Sequence, residues 1–188
     1  MLYLINQNGE VCSVSSRAPA VASKCVIYPS TKSGRNFSDR TDYWDGLIPS
    51  SVGIATGEVV SVTGKNIIVM SITGDARGIT SFLGVRSNVD LNWQHPTPSV
   101  DAKNNVITTY PTVSADVPAF GQLVTAQLRQ EDPGLLPSTK YLFLIPAAYG
   151  VERMDRAVMN TVSCQVDDLD NIIMEGIIRL QCSEDTRV

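Results

Sequence analysis

His95 is the only histidine in the 188-residue chain, and it sits in Asn92-Trp93-Gln94-His95-Pro96. Nucleophilic catalysis by cysteine needs a thiolate and a base within hydrogen-bond reach. Nothing in the sequence places Cys12, Cys25, Cys164 or Cys182 beside His95. A lone histidine ahead of a proline reads as a structural loop residue. No G-x-S-x-G elbow marks a serine nucleophile. The cysteines form no C-x-x-C pair, and Cys12 and Cys182 stand among apolar neighbours as small buried hydrophobes do. Zinc asks for tighter ligand spacing with histidine support, so reduced, structural thiols are expected.

Gly74-Asp75-Ala76-Arg77-Gly78-Ile79-Thr80-Ser81 has the outline of a phosphate loop but lacks the Gly-Lys-Ser/Thr that puts a lysine on the phosphates. It is expected to be a turn between strands. Asp167, Asp168 and Asp170 have the oxygen ligands a hard cation prefers, without the glycine and terminal glutamate of an EF-hand loop. They are expected to form a solvated turn. Thr186-Arg187-Val188 fits the peptide pattern captured by strand addition to a PDZ domain. Asn36-Phe37-Ser38 matches a glycosylation acceptor, which matters only in a secreted protein. The expectation is a chain with no catalytic residues, no metal and no cofactor, acting by structure or binding.

Those residues must be carried by something large enough to hold a core. The composition, 43% hydrophobic and 18% charged, is that of a globular protein. No apolar run approaches the ~20 residues of a membrane-spanning helix. Met1-Leu2-Tyr3-Leu4-Ile5 lacks a preceding basic region, so the chain is expected to stay where it is made. A net charge of −4 argues against a dedicated nucleic-acid binder. The charge is uneven: residues 1–100 come to about +1 and residues 101–188 to about −5.

Leu2–Ile5, Asn8-Gly9 and Val11–Val14 read as a β-hairpin, because Asn-Gly supplies the positive φ of a tight turn. Val21–Tyr28 reads as a strand stopped by Pro29. Residues 29–45 are polar and aperiodic, a long loop of the kind that is functional or disordered. From Gly57 the apolar period is two, through Val60, Val62, Ile68, Met70 and Ile72, with a turn at Gly64-Lys65. Such short strands with frequent turns indicate a barrel or sandwich. Residues 88–120 carry four prolines and read as a linker with one short strand, Val106–Tyr110. Gln122–Leu128, Tyr141–Ile145, Ala157–Val166 and Ile172–Gln181 complete the strands. Val151–Met159 is the one weak helix candidate.

The chain also repeats itself. Gly46-Leu47-Ile48-Pro49-Ser50-Ser51 returns as Gly134-Leu135-Leu136-Pro137-Ser138-Thr139. Further on, Glu58, Val69 and Ile72 align on Asp155, Val166 and Leu169, and Gly78-Ile79 on Gly176-Ile177. The alternative to a duplication is coincidence among residues common in turns.

Three pieces carry a family resemblance: Met154-Asp155, Cys164-Gln165-Val166-Asp167-Asp168, and Gly176-Ile177-Ile178-Arg179-Leu180-Gln181. The stretch from Arg153 to Arg187 resembles the last strands of tailed-bacteriophage neck proteins, the head-closure or head–tail connector type. The first half repeats the pattern more loosely at Thr56-Gly57-Glu58, Asn66–Ile72 and Gly78-Ile79. Met154 stands where that family has glycine, and Cys164-Gln165 where an aromatic often precedes the valine. The resemblance implies a virion component, assembled in the host cytoplasm. It would form a homo-oligomeric ring between portal or adaptor and tail, with DNA passing through its channel and no membrane contact. An acidic chain suits that passage, since DNA binding depends on phosphate neutralisation by lysine and arginine.

The sequence therefore predicts a mainly β protein, an antiparallel barrel or sandwich and possibly two related barrels, with few short helices. Residues 1–92 form the first region with the long loop 29–45, residues 93–120 a linker or insertion, and residues 121–188 a C-terminal barrel-like region. Lys32, Arg35, Arg40, Tyr43, Trp44 and Trp93 are the candidate interface residues, since aromatics and arginine are enriched at such surfaces. Rival readings are a tail terminator, a baseplate subunit or a capsid decoration protein. From another class comes a cytoplasmic β module that binds a peptide or carbohydrate. An enzyme working around Asp167, Asp168 and Asp170 is the third class.

Overall fold

The computed structural model describes residue 5 and residues 7–30, 42–172 and 174–187. Two closed, six-stranded antiparallel β-barrels follow one another along the chain. The first holds β1 (Glu10–Val14), β2 (Val21–Pro29), β3 (Tyr43–Pro49), β4 (Val59–Val62), β5 (Lys65–Ala76) and β6 (Ile79–Arg86). Around this barrel the order is β1-β2-β3-β6-β5-β4, closed by β4 on β1. The second holds β7 (Val89–Gln94), β10 (Thr112–Leu123), β11 (Tyr141–Pro146), β12 (Arg156–Met159), β13 (Val162–Asp170) and β14 (Ile177–Glu184). Its order, β7-β10-β11-β14-β13-β12, is the same permutation. Two more strands, β8 (Thr97–Val100) and β9 (Val106–Thr109), pair with each other as a separate two-stranded sheet and stand between β7 and β10 in the chain. One short helix, α1 (Ala126–Glu131), precedes β11; the Thr125 hydroxyl caps it by accepting from Leu128 N–H at 3.2 Å.

The match between barrels extends to individual residues. Val59 pairs with Ile68 and Ile68 with Val85 in the first, as Arg156 pairs with Gln165 and Gln165 with Ser183 in the second. Leu47-Ile48-Pro49 ends β3 and runs into a 3-10 turn capped by left-handed Gly53; Leu144-Ile145-Pro146 does the same into Gly150. Gly57 and Met154 both adopt positive φ, +79° and +71°. Each donates its N–H to the matching valine, Val69 or Val166, at 2.8 and 2.9 Å. The register thus follows the alignment of Glu58 on Asp155. It does not follow the Gly46–Ser51 and Gly134–Thr139 look-alikes, because Gly46-Leu47-Ile48-Pro49 is strand whereas Gly134–Thr139 is a loop. That loop is pinned by Gln181, whose Oε1 accepts from Leu136 N–H and Thr139 Oγ1.

Alternation explains the cores. Cys12, Ile48, Val60, Val62, Ile67, Val69 and Phe82 fill the first barrel; Leu91, Trp93, Phe143, Ile145, Cys164, Val166 and Leu180 help fill the second. Gly46 leaves room for the Phe82 ring, which would lie 2.1 Å from a Cβ there. A third cluster lies between the barrels. Val59, Ile68 and Val85 from β4–β6 meet Phe120, Leu144 and Ile177 from β10, β11 and β14. That is why β4, Val59-Val60-Ser61-Val62, is apolar at neighbouring positions: its two sides face two different cores. Six such side chains, at about 1.5–3 kcal/mol each when fully buried, hold the barrels together.

Several local expectations change. Gly9 donates its N–H to the Ile5 carbonyl at 2.8 Å and Asn8 is helical, so Asn8-Gly9 closes a helical turn rather than a hairpin. Leu2–Leu4 lie outside the described residues. Tyr43, Trp44 and Asp45 belong to β3 rather than to the preceding loop. Residues 93–120, expected as a linker, supply the end of β7, the β8–β9 hairpin and most of β10. Gln122–Leu128 leaves the strand and enters α1, and Val151–Met159 is a turn followed by β12. Asp167, Asp168 and Asp170 lie on β13 next to its bulge, not in a turn.

Candidate binding surfaces

The loops entering β4 and β12 each carry an inward-turned acid. Glu58 Oε2 accepts from Ala55 N–H at 2.8 Å, and Asp155 Oδ2 accepts from Glu152 N–H at 2.9 Å. The partners then diverge. Arg17 forks onto Glu58, with Nε to Oε1 at 2.5 Å and Nη2 to Oε2 at 2.7 Å. It also donates to the carbonyls of Val52 and Gly53, tying the β1–β2 turn to the β3–β4 loop. Burial raises the Glu58 carboxyl, but the Arg17 and Ala55 hydrogen bonds outweigh it and hold it below the usual carboxylate range.

In the second barrel Asp155 is buried at 2% exposure and accepts from Trp93 Nε1 at 2.9 Å. Its Oδ1 lies 2.7 Å from Nδ1 of half-exposed His95. Sequence reasoning left His95 without a partner because Asp155 is sixty residues away. An acid orienting an imidazole is half of a triad. Among the described residues, no serine, threonine or cysteine side chain hydrogen-bonds to that imidazole.

Around Tyr110, at the base of the hairpin, lies a charged network. The Arg156 guanidinium sits 3.5 Å above the Tyr110 ring and that of Arg187 5.2 Å away, a favourable cation–π geometry. Arg156 Nε donates to Asp185 Oδ2 at 2.6 Å, and Arg187 Nε to Asp185 Oδ1 at 2.8 Å. Burial raises the Asp185 carboxyl; bonds from Arg187 and Arg156 outweigh that and hold it far below the usual range.

The hairpin itself projects. Val100 and Val106 face each other across it at 62% and 75% exposure, with Ile107 at 44% and Val113 on β10 at 60%. Asp101 shapes its tip by accepting from the Lys103 and Asn105 N–H groups. Its outer strand edges pair with no other strand among the described residues. Pro98 is tolerated because β8 is such an edge.

Of the candidate interface residues, Lys32, Arg35 and Arg40 lie outside the described residues. Tyr43 is buried at 3%, which lifts its phenol to about 12. Trp93 is buried at 1% inside the second barrel. Trp44 packs against the first core with Lys65 Nζ 4.4 Å above its ring. All four cysteines are free and buried. Burial pushes the Cys164 thiol up to about 11, a direction that disfavours the reactive thiolate. Among the described residues no three His, Cys, Asp or Glu side chains are placed to share a metal. Asp168 is ion-paired with Arg153, and Asp167 accepts from Ser183 Oγ at 3.0 Å. Among the described residues no helix is long and apolar enough to cross a membrane.

Two clefts remain. One, of about 350 Å³, is apolar and lined by Val89, Leu123, Tyr141, Phe143 and Met159, with the Tyr141 and Phe143 rings stacked 6.2 Å apart. The other, of about 420 Å³, is polar and lies where the barrels join, with Lys65, Arg86, Asn88 and Asn160 on its walls. The sequence matches no protein-family model and no curated protein.

Proposed function

We propose that this chain is a non-catalytic assembly subunit: a rigid pair of β-barrels that binds other proteins through the β8–β9 hairpin. The observation that carries this reading is the exposure of Val100 and Val106, cross-strand partners on one face of a two-stranded sheet, with Ile107 exposed on the other. A lone hairpin is marginal in water, and contiguous exposed apolar residues mark interaction sites. The resemblance to tailed-phage neck proteins supplies the specific setting, a connector subunit between portal and tail. The test is native mass spectrometry of the wild type and of Val106→Ser/Ile107→Ser, each alone and with neighbouring gene products. Partner complexes lost in the variant support the reading. Complexes indifferent to the hairpin, or none at all, remove it.

A second reading has its own observation. The Val89–Phe143 cleft has the size and apolar lining of a small-ligand pocket. It makes the chain a monomeric ligand-binding module. A ligand screen that raises the melting temperature, with the effect lost in Tyr141→Ala, would favour it over assembly.

A further inference from the structure

The two clefts share a wall. Asn88 and Val89 line both of them. The turn that ends β12 divides between them as well, with Met159 on the apolar cleft and Asn160 on the polar one. The wall is held in place by two hydrogen bonds. Asn88 Nδ2 donates to the Gly121 carbonyl at 2.8 Å, and Asn88 Oδ1 accepts from Gly121 N–H at 2.7 Å. Gly121 itself lines the apolar cleft, where a Cβ would lie 2.8 Å from the Phe143 ring and 3.1 Å from Val89. A side chain there would crowd the apolar lining.

The chemistry of the two sides differs. Val89, Leu123, Tyr141, Phe143 and Met159 offer apolar and aromatic surface, and among the described residues no charged side chain lines that cleft. The polar cleft carries Lys65 from the start of β5 and Arg86 from the end of β6. Strand pairing sets these two beside each other: Arg86 is the partner of Ile67, and Ser87 N–H donates to the Asn66 carbonyl at 2.8 Å. Among the described residues neither cation enters an ion pair. Lys65 Nζ has the Trp44 ring 4.4 Å away. Asp90, the acid on the same walls, is in no ion pair either. The polar cleft is left with an excess of one positive charge. A singly charged carboxylate balances that excess, whereas a dianionic phosphate overshoots it. An arginine fork also matches the two oxygens of a carboxylate.

We infer that the paired clefts bind a small amphiphilic carboxylate, with its apolar body against Tyr141 and Phe143 and its carboxylate at Lys65 and Arg86. This rests on the reading of the chain as a ligand-binding module, and adds the ligand's chemical class. The body and the charge of the ligand lie on either side of Asn88-Val89.

The test is isothermal titration calorimetry of the purified protein with octanoate, 1-octanol and acetate. Octanoate has body and head, 1-octanol the body without the charge, and acetate the head without the body. Octanoate should bind about tenfold more tightly than 1-octanol, which is what two solvent-accessible ion pairs can add. Acetate should bind more weakly than either. Lys65→Gln/Arg86→Gln should bring octanoate down to the level of 1-octanol, and Tyr141→Ala should weaken both; circular dichroism confirms each fold. Arg86→Gln alone, at an exposed position, replaces the double variant if that does not fold, with roughly a threefold loss of octanoate affinity expected. Equal affinity for octanoate and 1-octanol overturns the inference while leaving the ligand-module reading standing. An octanoate preference that survives loss of both cations does the same. Acetate binding as tightly as octanoate overturns it by removing the apolar cleft from the site. A wild type that binds none of the three overturns it too, and the module reading then stands or falls by its own ligand screen.

Discussion

Gly57 and Gly176 meet backbone to backbone across the joint of the two barrels. A Cβ on Gly57 would lie 1.9 Å from the Gly176 carbonyl oxygen, and one on Gly176 would lie 2.3 Å from that of Thr56. Both residues have positive φ. The contact brings together two turns that the duplication makes non-equivalent, the entry to β4 and the entry to β14.

Gly57→Ala should therefore cost more than its backbone angle alone explains. A left-handed alanine costs roughly 1–2 kcal/mol, and forcing atoms into a packed joint about 1–3 kcal/mol more. Gly64 is the control, with a similar φ of +75° and nothing within 4 Å of a Cβ. Chemical denaturation should show Gly57→Ala losing at least twice what Gly64→Ala loses. Equal losses would mean the joint yields freely.

Asp155 should matter more than Glu58 although they occupy the same place. Removing Asp155 strands the indole N–H of buried Trp93, at about 1–3 kcal/mol for an unsatisfied buried group, and also frees the N–H of exposed Glu152. Glu58 is 18% exposed and its partner Arg17 31%, so water re-solvates what its loss uncovers. Asp155→Ala is expected to cost about 3 kcal/mol and Glu58→Ala about half that. Matched urea melts decide it, and a larger loss for Glu58→Ala would reverse the assignment.

These comparisons show what the sequence could and could not tell. Period-two alternation from Val60 to Ile72 marked β4 and β5, the continuous apolar run Tyr141–Ile145 marked β11, and the alignment of Glu58 with Asp155 held the true register of the repeat. The six-residue look-alike did not, since Leu47-Ile48-Pro49 and Leu144-Ile145-Pro146 share fewer letters but the same strand and turn. His95 gave no local sign of Asp155, because closing the second barrel is what brings β7 beside β12. The strand expected at Val106–Tyr110 is β9, but its partner β8 hid behind Pro98, which an unpaired edge makes compatible with a strand.

Acid should loosen the second barrel through Asp185. Its carboxyl titrates lower in the folded chain than in the unfolded one, because the bonds from Arg187 and Arg156 outweigh burial. Between those values the unfolded state binds more protons, so stability rises with pH there. The contribution is fully present above the ordinary carboxylate range near pH ~4, and is lost as pH falls below it. Melting temperatures of the wild type should drop steeply below that point, and those of Asp185→Asn should start lower and fall less. Parallel curves would show that the network is not coupled to folding.

Trp44 and Trp93 offer the last test, because their indoles differ in one bond. Trp93 donates Nε1–H to Asp155, whereas the buried Nε1 of Trp44 has no hydrogen-bond acceptor among the described residues. An unsatisfied buried donor costs about 1–3 kcal/mol, so phenylalanine at position 44 removes a penalty as it removes volume. Trp44→Phe should melt within about 1 kcal/mol of the wild type, while Trp93→Phe should lose about 2–3 kcal/mol by leaving Asp155 short of a donor. Trp44→Ala, which empties one end of the first core, should cost about 3 kcal/mol. If Trp44→Phe proves as damaging as Trp93→Phe, the indole nitrogen of Trp44 has a partner in solution, and its placement against Lys65 is what must be revised.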